Sequence, residues 1–363
     1  MSGIEKRKLR HIRVSLEKNV DTDITTGFED IRLIHRALPE IDLDEVSTEA
    51  TLFGKRLAAP LIISAITGGT SEAGVINKVL AEVAEEKQIG ICVGSQRIAI
   101  DQPETVPTFS VVREKAPTTF VMGNIGCPQL SLGWGVHEAE KAIDMIEADA
   151  LAIHMNPLHE VIQVDGNTNY RGVYEKITEL KRNLTTPLVM KETGAGIAWE
   201  EAVKIQKAGA SGLEISGVGG TSWSAVEYHI AKEVGKQEME YLGGALWNWG
   251  IPTAISLIES TQKTNLSIIS SGGIRTGVEV AKSVALGADA GGIAKPFLEK
   301  AVQGHEALTE YVDNIINEIK VTMFLVGSRN LDELRKVPVL VMGKTAEWLR
   351  LRGFDPMSYS KRA

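Results

Sequence analysis

A few short clusters of polar residues carry chemistry that a purely structural chain does not need. His154-x-Asn156-Pro157-Leu158-His159-Glu160 gathers two imidazoles, an amide and a carboxylate within one short segment. Such a set can hydrogen-bond an anionic ligand or move a proton. Lys191 closes an apolar run and can stabilise negative charge on a bound ring. Gly94-Ser95-Gln96-Arg97 and the basic stretch Arg7-Lys8-Leu9-Arg10-His11 can give charge-assisted hydrogen bonds to phosphate. Two glycine- or proline-marked turns, Ser270 to Gly277 and Ile293 to Phe297, each lead into a helical pattern. Backbone N–H groups at such turns and helix N-termini bind anions.

These residues work together only if one fold brings them to one place. Eight short apolar or β-branched runs alternate with helical patterns: 60–65, 90–95, 119–124, 150–156, 187–193, 212–217, 266–271 and 289–294. Each suits a strand buried on both faces. The segments 73–88, 137–148, 170–184, 200–208 and 278–286 show apolar residues at helical spacing. Eight βα units predict an α/β fold, a (β/α)8 TIM barrel, rather than an open doubly wound sheet. Residues 1–58 form an N-terminal extension that caps the bottom or reaches around the barrel, and residues 59–363 form the barrel, with a single domain overall. The stretch 223–259 exceeds one helix and is expected to hold a covering or subunit-contact loop. Residues 298–326 read as long helical cover.

Side chains two apart on a strand share a face. Along six consecutive strands the polar residues fall at the same end: Thr67, Ser95, Asn124, the pair His154 and Asn156, the pair Lys191 and Thr193, and Ser216. Buried polar groups there are costly unless a ligand satisfies them, and barrel active sites lie at this end. The two anion-binding turns follow strands 7 and 8, where barrels commonly bind phosphate. A ligand with one phosphate and a planar ring spanning the mouth fits flavin mononucleotide (FMN). No G-x-G-x-x-G turn follows an early strand, which disfavours NAD as a held cofactor.

The chain has 363 residues, 43 % hydrophobic and 24 % charged, with a net charge of −8. That charge disfavours nucleic acid and anionic membranes as partners. Cys92 and Cys127 are expected to be buried, reduced thiols. No signal segment or membrane-length apolar run is evident, so a cytoplasmic enzyme is expected. His137, His229 and His305 read as ordinary helix residues, and Glu214 as a structural partner of Lys191 or a neighbour. Trp223 is expected to line the pocket, and Trp247 and Trp249 to be interface or core residues.

Taken in order, these motifs, with Thr67-Gly68-Gly69, Lys191-Glu192, Gly219-Gly-Thr-Ser-Trp223 and Ser271-Gly-Gly-Ile-Arg-Thr-Gly277, resemble the type 2, FMN-dependent isopentenyl-diphosphate delta-isomerases along nearly the whole chain. The resemblance implies interconversion of isopentenyl and dimethylallyl diphosphate in isoprenoid biosynthesis. It implies reduced FMN acting by proton transfer, Mg²⁺, NADPH as reductant, and a homo-tetramer or homo-octamer. It assigns Ala65, Ile66, Thr67, Ser95, Asn124, Lys191, Ser216, Thr221, Gly273, Ile274, Arg275, Ala294 and Lys295 to the cofactor. Arg7, Lys8, His11, Ser95, Gln96, Arg97, His154, Asn156, His159 and Thr193 would meet the substrate. Glu160 would meet the metal, and His159, His154 and Lys191 would be catalytic. His159 stands where the family usually has glutamine, a side chain near the substrate double bond. It is expected to keep the positioning role and can add a proton relay. Ile66 replaces a common methionine, and Lys295 adds a cation in the last phosphate loop.

Two other readings compete. The same barrel serves FMN oxidoreductases of the 2-hydroxyacid oxidase or IMP dehydrogenase type. The second of these needs a cysteine after the sixth strand, where this chain has Gly217 to Trp223 and no cysteine. A non-catalytic flavin-binding or assembly protein would leave the diphosphate cations and Glu160 idle.

Overall fold

The computed structural model describes residues 3–362. Eight parallel strands close into a barrel: β1 (Leu61–Ile63), β2 (Gly90–Cys92), β3 (Val121–Gly126), β4 (Ala150–Met155), β5 (Leu188–Glu192), β6 (Gly212–Glu214), β7 (Ser267–Ser271) and β8 (Ala290–Ile293). Sequence neighbours pair around the ring, and β8 returns to β1 with Gly291 beside Leu61. Each of the eight expected runs coincides with a strand, seven containing it whole while β3 runs two residues past 119–124, and helices occupy all five expected helical segments. Leu61, Ile62, Ile63, Leu151 and Ile153 are fully buried, which is why these strands read as apolar runs rather than alternating ones.

Aspartates fix the starts of several strands. Asp149, just before β4, accepts hydrogen bonds from the Val121 N–H of β3 at 2.9 Å and from Arg113 at 2.9 Å. Asp289, just before β8, likewise accepts from the Ile268 N–H of β7 at 3.1 Å. The Ala-Asp-Ala steps in the sequence are therefore register clamps at the strand N-termini. Helix starts are capped in the same local way. Thr70 accepts from the Ala73 N–H, and Thr276 with Glu279 forms a capping box on the helix after β7.

The N-terminal extension contributes to both ends of the barrel. Its first helix, Gly3–Glu17, lies over the C-terminal mouth and contributes to the cavity there. Ile31–Leu33 then pairs antiparallel with Val339–Val341, tying the extension to the C-terminal part. The hairpin Ala50–Leu52 and Lys55–Leu57 plugs the bottom. Its Phe53 ring stacks 6.0 Å from Phe120, and a Cβ on Gly212 would come within 2.7 Å of the Phe53 ring.

Two expectations need correction. Residues 223–259 hold more than a loop: they form helices Trp223–Glu233 and Gln237–Ala245 and the start of a third, Thr253–Lys263. Ser222 caps the first of these, and Gly250, at φ 139, turns the chain into the third. The expected long cover breaks into Lys295–Gln303 and His305–Leu325 because Gly304, at φ 120 and ψ 177, leaves the helical region. Trp247 is half-buried, packed against the cluster that holds Val14 and Val20 and donating to the Asp21 carbonyl at 3.0 Å, whereas Trp249 is exposed. Cys92 and Cys127 are free and buried, and burial pushes both thiols up, away from reactivity.

Candidate active site

The strand ends, the loops after them and the N-terminal helix enclose a cavity of about 1690 Å³, counting the space open at its mouth.

The floor is polar and densely hydrogen-bonded. Lys191 Nζ lies 3.0 Å from Glu214 Oε1 and donates to the Glu192 carbonyl at 3.0 Å. Glu214 also accepts from Ser64 at 2.7 Å and Ser271 at 3.1 Å, and it is fully buried. Its Oε2 has no protein partner among the described residues. Asn124 donates to the Val93 carbonyl at 3.1 Å, which leaves its Oδ1 to accept from His154 Nδ1 at 2.8 Å. The His154 proton is therefore on Nδ1, and Nε2 carries the lone pair. Burial, then the charge of Lys191, pushes this imidazole down to about 3. It is a neutral hydrogen-bonding group in the free protein, not a cation.

At the β7 and β8 end, backbone packs on backbone. Gly272 and Gly273 adopt φ 101 and 75, and a Cβ at either would collide with the carbonyl of Gly217 or Gly219. Only glycine fits both the conformation and the space. Thr253 holds the Gly272 carbonyl at 2.6 Å, and the Tyr311 hydroxyl holds that of Arg275 at 2.8 Å. Lys295 Nζ and Arg275 Nη2 converge on Asp21, at 3.2 and 3.8 Å. Glycine turns, a helix N-terminus and two cations suit a phosphate. With the hydrogen-bonding floor, this donor set fits FMN.

Across the cavity lies a second cationic group. Lys8, carried by the N-terminal helix, donates to the Gly68 and Ser95 carbonyls at 2.7 and 2.9 Å. Burial, reinforced by Arg7, lowers its ammonium to about 7. Arg7 is itself pushed down by burial and by nearby Arg97. Arg97 also pairs with Asp101 at 3.7 Å, and three cationic side chains held this close together suit a polyanionic ligand. Glu160 sits beside them. It accepts from Asn156 Nδ2 at 2.9 Å and from the Asn167 N–H at 2.6 Å, and each oxygen keeps a further lone pair. An oriented carboxylate next to a diphosphate site fits a hard cation that completes its shell with phosphate and water.

The third wall is aromatic. The His159 ring stacks on Trp223, with centroids 4.5 Å apart and 22° between planes. His159 Nε2 and His11 Nε2 each lie 2.8 Å from the same oxygen, Oε1 of Glu227. Burial works to raise that carboxyl, but the two hydrogen bonds outweigh it and hold Glu227 at about 2. Burial lowers His11 against the pull of Glu227.

The cavity brings together every sequence-derived site residue except Gln96. Gln96 is fully buried behind the wall. Its Nε2 donates to the Ala142 carbonyl at 2.7 Å and its Oε1 accepts from the Asn124 N–H at 2.8 Å. It stands at the N-cap of the short helix Arg97–Asp101, between Ser95 and Arg97, and its side-chain bonds run behind the wall rather than into the cavity. Glu227 was missed by the sequence reading. Its signal was an acid four residues after Trp223, on the helix face otherwise occupied by Val226 and Ile230. The role of Glu192 was also missed: it accepts from the Thr193, Gly194 and Ala195 amides at 2.5–2.6 Å and shapes the loop after β5.

Residues 147–340 match the family of FMN-dependent dehydrogenases. Among solved structures, a flavocytochrome b2 variant with sulfite bound superposes with TM-score 0.65 at 18 % identity, covering 90 % of this chain and 81 % of that one. A mandelate oxidase variant with an FMN adduct gives TM-score 0.61 at 17 % identity over 93 % of this chain and 100 % of that one. At that identity the likeness speaks for the barrel alone. Curated relatives are much nearer. An isopentenyl-diphosphate delta-isomerase of Methanosarcina barkeri is 46 % identical over 361 residues, covering 99 % of this chain and 98 % of the relative. One of Thermococcus kodakarensis is 46 % identical over 97 % of this chain and 95 % of its own length. The chain belongs to the type 2, FMN-dependent isopentenyl-diphosphate delta-isomerase family.

Proposed function

We propose that the protein interconverts isopentenyl and dimethylallyl diphosphate, using reduced FMN, Mg²⁺ and NADPH as the reductant. One observation carries this reading: a single cavity has a flavin-suited floor, a diphosphate-suited cation group, and an aromatic wall between them. Reduced FMN would supply a proton-transfer group next to the substrate's hydrocarbon.

The chain's own residues do the rest. Arg275, Lys295 and the Gly272–Gly273 turn hold the cofactor phosphate, with Thr221 beside them. Asn124, Lys191, Ser216, Thr67 and Ser95 meet the ring, backed by Ala65, Ile66, Ile274 and Ala294. Lys191 stabilises negative charge there, and Glu214 fixes where it points. Arg7, Lys8, Arg97, Asn156 and Thr193 grip the diphosphate, and Glu160 directs the cation toward it. His154, neutral with its lone pair on Nε2, orients the substrate. His11 and His159, tethered by Glu227, hold polar hydrogens beside Trp223 where the double bond would lie. The reaction adds and removes protons at carbon, so a dry wall with fixed proton-bearing groups favours it over loss to water.

Anaerobic incubation with isopentenyl diphosphate, FMN, NADPH and Mg²⁺ tests the reading. Dimethylallyl diphosphate should form with far less than one NADPH consumed per product. Consumption in step with turnover would place the protein among the oxidoreductases. Glu160→Gln should raise the Mg²⁺ concentration needed for activity. No described helix is long and apolar enough to cross a membrane. A cytoplasmic homo-tetramer or homo-octamer is part of the same reading, and light scattering of the purified protein checks the assembly.

A further inference from the structure

We propose that His11, His159 and Glu227 form a binding site for a divalent cation of the zinc class, separate from the Mg²⁺ carboxylate Glu160 and open to the cavity. The three side chains come from three helices, so nothing in their local sequence spacing announces a site. Their donor atoms nevertheless lie within 4.8 Å of one another. A tetrahedral ion with bonds of about 2.1 Å holds its donors roughly 3.4 Å apart. Two of the three separations, His11 to Glu227 and His159 to Glu227, are already 2.8 Å. Small opening movements around Glu227 would seat an ion.

The chemistry of the set selects the class of ion. Two imidazoles and one carboxylate suit zinc, cobalt or nickel, while Mg²⁺ prefers oxygen. Each imidazole must shift its hydrogen from Nε2 to Nδ1 to free a lone pair. At His159, Asn156 Nδ2 lies 3.5 Å from Nδ1, too long to lock the tautomer. His11 and His159 both face the cavity, which leaves a fourth position for water. The stack on Trp223 holds the His159 ring in place for the ion.

The ion would stand against the aromatic wall, so it would exclude the substrate's hydrocarbon while leaving the FMN floor alone. Binding and inhibition are therefore measured separately, and the binding measurement holds whatever the reaction proves to be. FMN-loaded protein is titrated with Zn²⁺ by calorimetry in excess Mg²⁺. One equivalent should bind, and His159→Gln should weaken it at least about tenfold. His159→Gln should keep its FMN spectrum, which separates loss of a ligand from misfolding. Glu160→Gln should bind Zn²⁺ like the unaltered protein. No saturable uptake, equal uptake in His159→Gln, or loss in Glu160→Gln alone would each overturn the proposal. In the isomerase assay, Zn²⁺ should raise the KM for isopentenyl diphosphate, and added Mg²⁺ should not reverse it.

Discussion

Raising the pH from 7 to 9 should weaken binding of isopentenyl diphosphate about fiftyfold without releasing FMN. The perturbation acts through Lys8, whose ammonium burial lowers to about 7. Two of its three N–H bonds go to the Gly68 and Ser95 carbonyls. A neutral amine keeps two N–H donors, so deprotonation leaves those bonds intact. What it removes is the third donor and the positive charge, the features a diphosphate needs. The protonated fraction falls from about one half at pH 7 to about one per cent at pH 9, a change of ~50-fold or about 2.3 kcal/mol. The assay is KM for isopentenyl diphosphate against pH at saturating FMN and Mg²⁺, in a range where the diphosphate is fully ionised. Lys8→Arg stays charged throughout and should flatten the profile. Lys8→Met should show the weak binding of pH 9 already at pH 7. The stability of the substrate-free protein should move the other way. Between about pH 7 and the ordinary lysine range the unfolded chain binds more protons than the folded one, so stability rises with pH there. A flat KM from pH 7 to 9, or the same slope in Lys8→Arg, would refute the assignment of Lys8 to the diphosphate.

The remaining predictions concern the other walls. Arg97→Ala should raise the KM for isopentenyl diphosphate at least about tenfold and leave the flavin spectrum intact; loss of flavin would move Arg97 to the cofactor. Lys191→Met strands the buried Glu214 carboxylate and should cost about 3–5 kcal/mol in denaturant unfolding. Adding Glu214→Gln should recover part of that loss, and a purely additive double variant would deny the pair. Glu227 has its folded carboxyl held down at about 2, so it stabilises the fold above the ordinary carboxylate range. That contribution should fade as the pH drops from about 4.5 toward 2. Acid melts of Glu227→Gln should lack this component, and an unchanged acid limb would count against the shared hydrogen bonds.

Much of the site was readable because a barrel converts sequence position into spatial position. Once 60–65 through 289–294 are strands of one closed sheet, the last residues of every strand must meet at one rim. Asn124, His154, Lys191 and Ser216 are therefore neighbours by topology, before any side chain is placed. The glycine turn at Gly272–Gly273 was readable for a related reason, since its positive φ values and crowded backbone admit no other residue. The register clamps at Asp149 and Asp289 left a visible trace in the Ala-Asp-Ala steps without revealing their bonds.

What escaped the sequence are contacts between elements whose mutual placement no local pattern encodes. Gln96 sits between two cavity residues in a motif that names all three, yet its side chain turns outward to bond Ala142 and Asn124. Glu227 reads as a helix acid until the N-terminal helix and the segment after β4 bring His11 and His159 onto the same oxygen. Strand periodicity and turn chemistry are local, so residue order alone determined the barrel, its polar rim and its anion-binding turns. The aromatic wall and the buried Lys8 beside Arg7 and Arg97 depend on how the N-terminal helix docks across the mouth. Docking of that kind is set by burial summed over distant surfaces, and only the folded chain decides it.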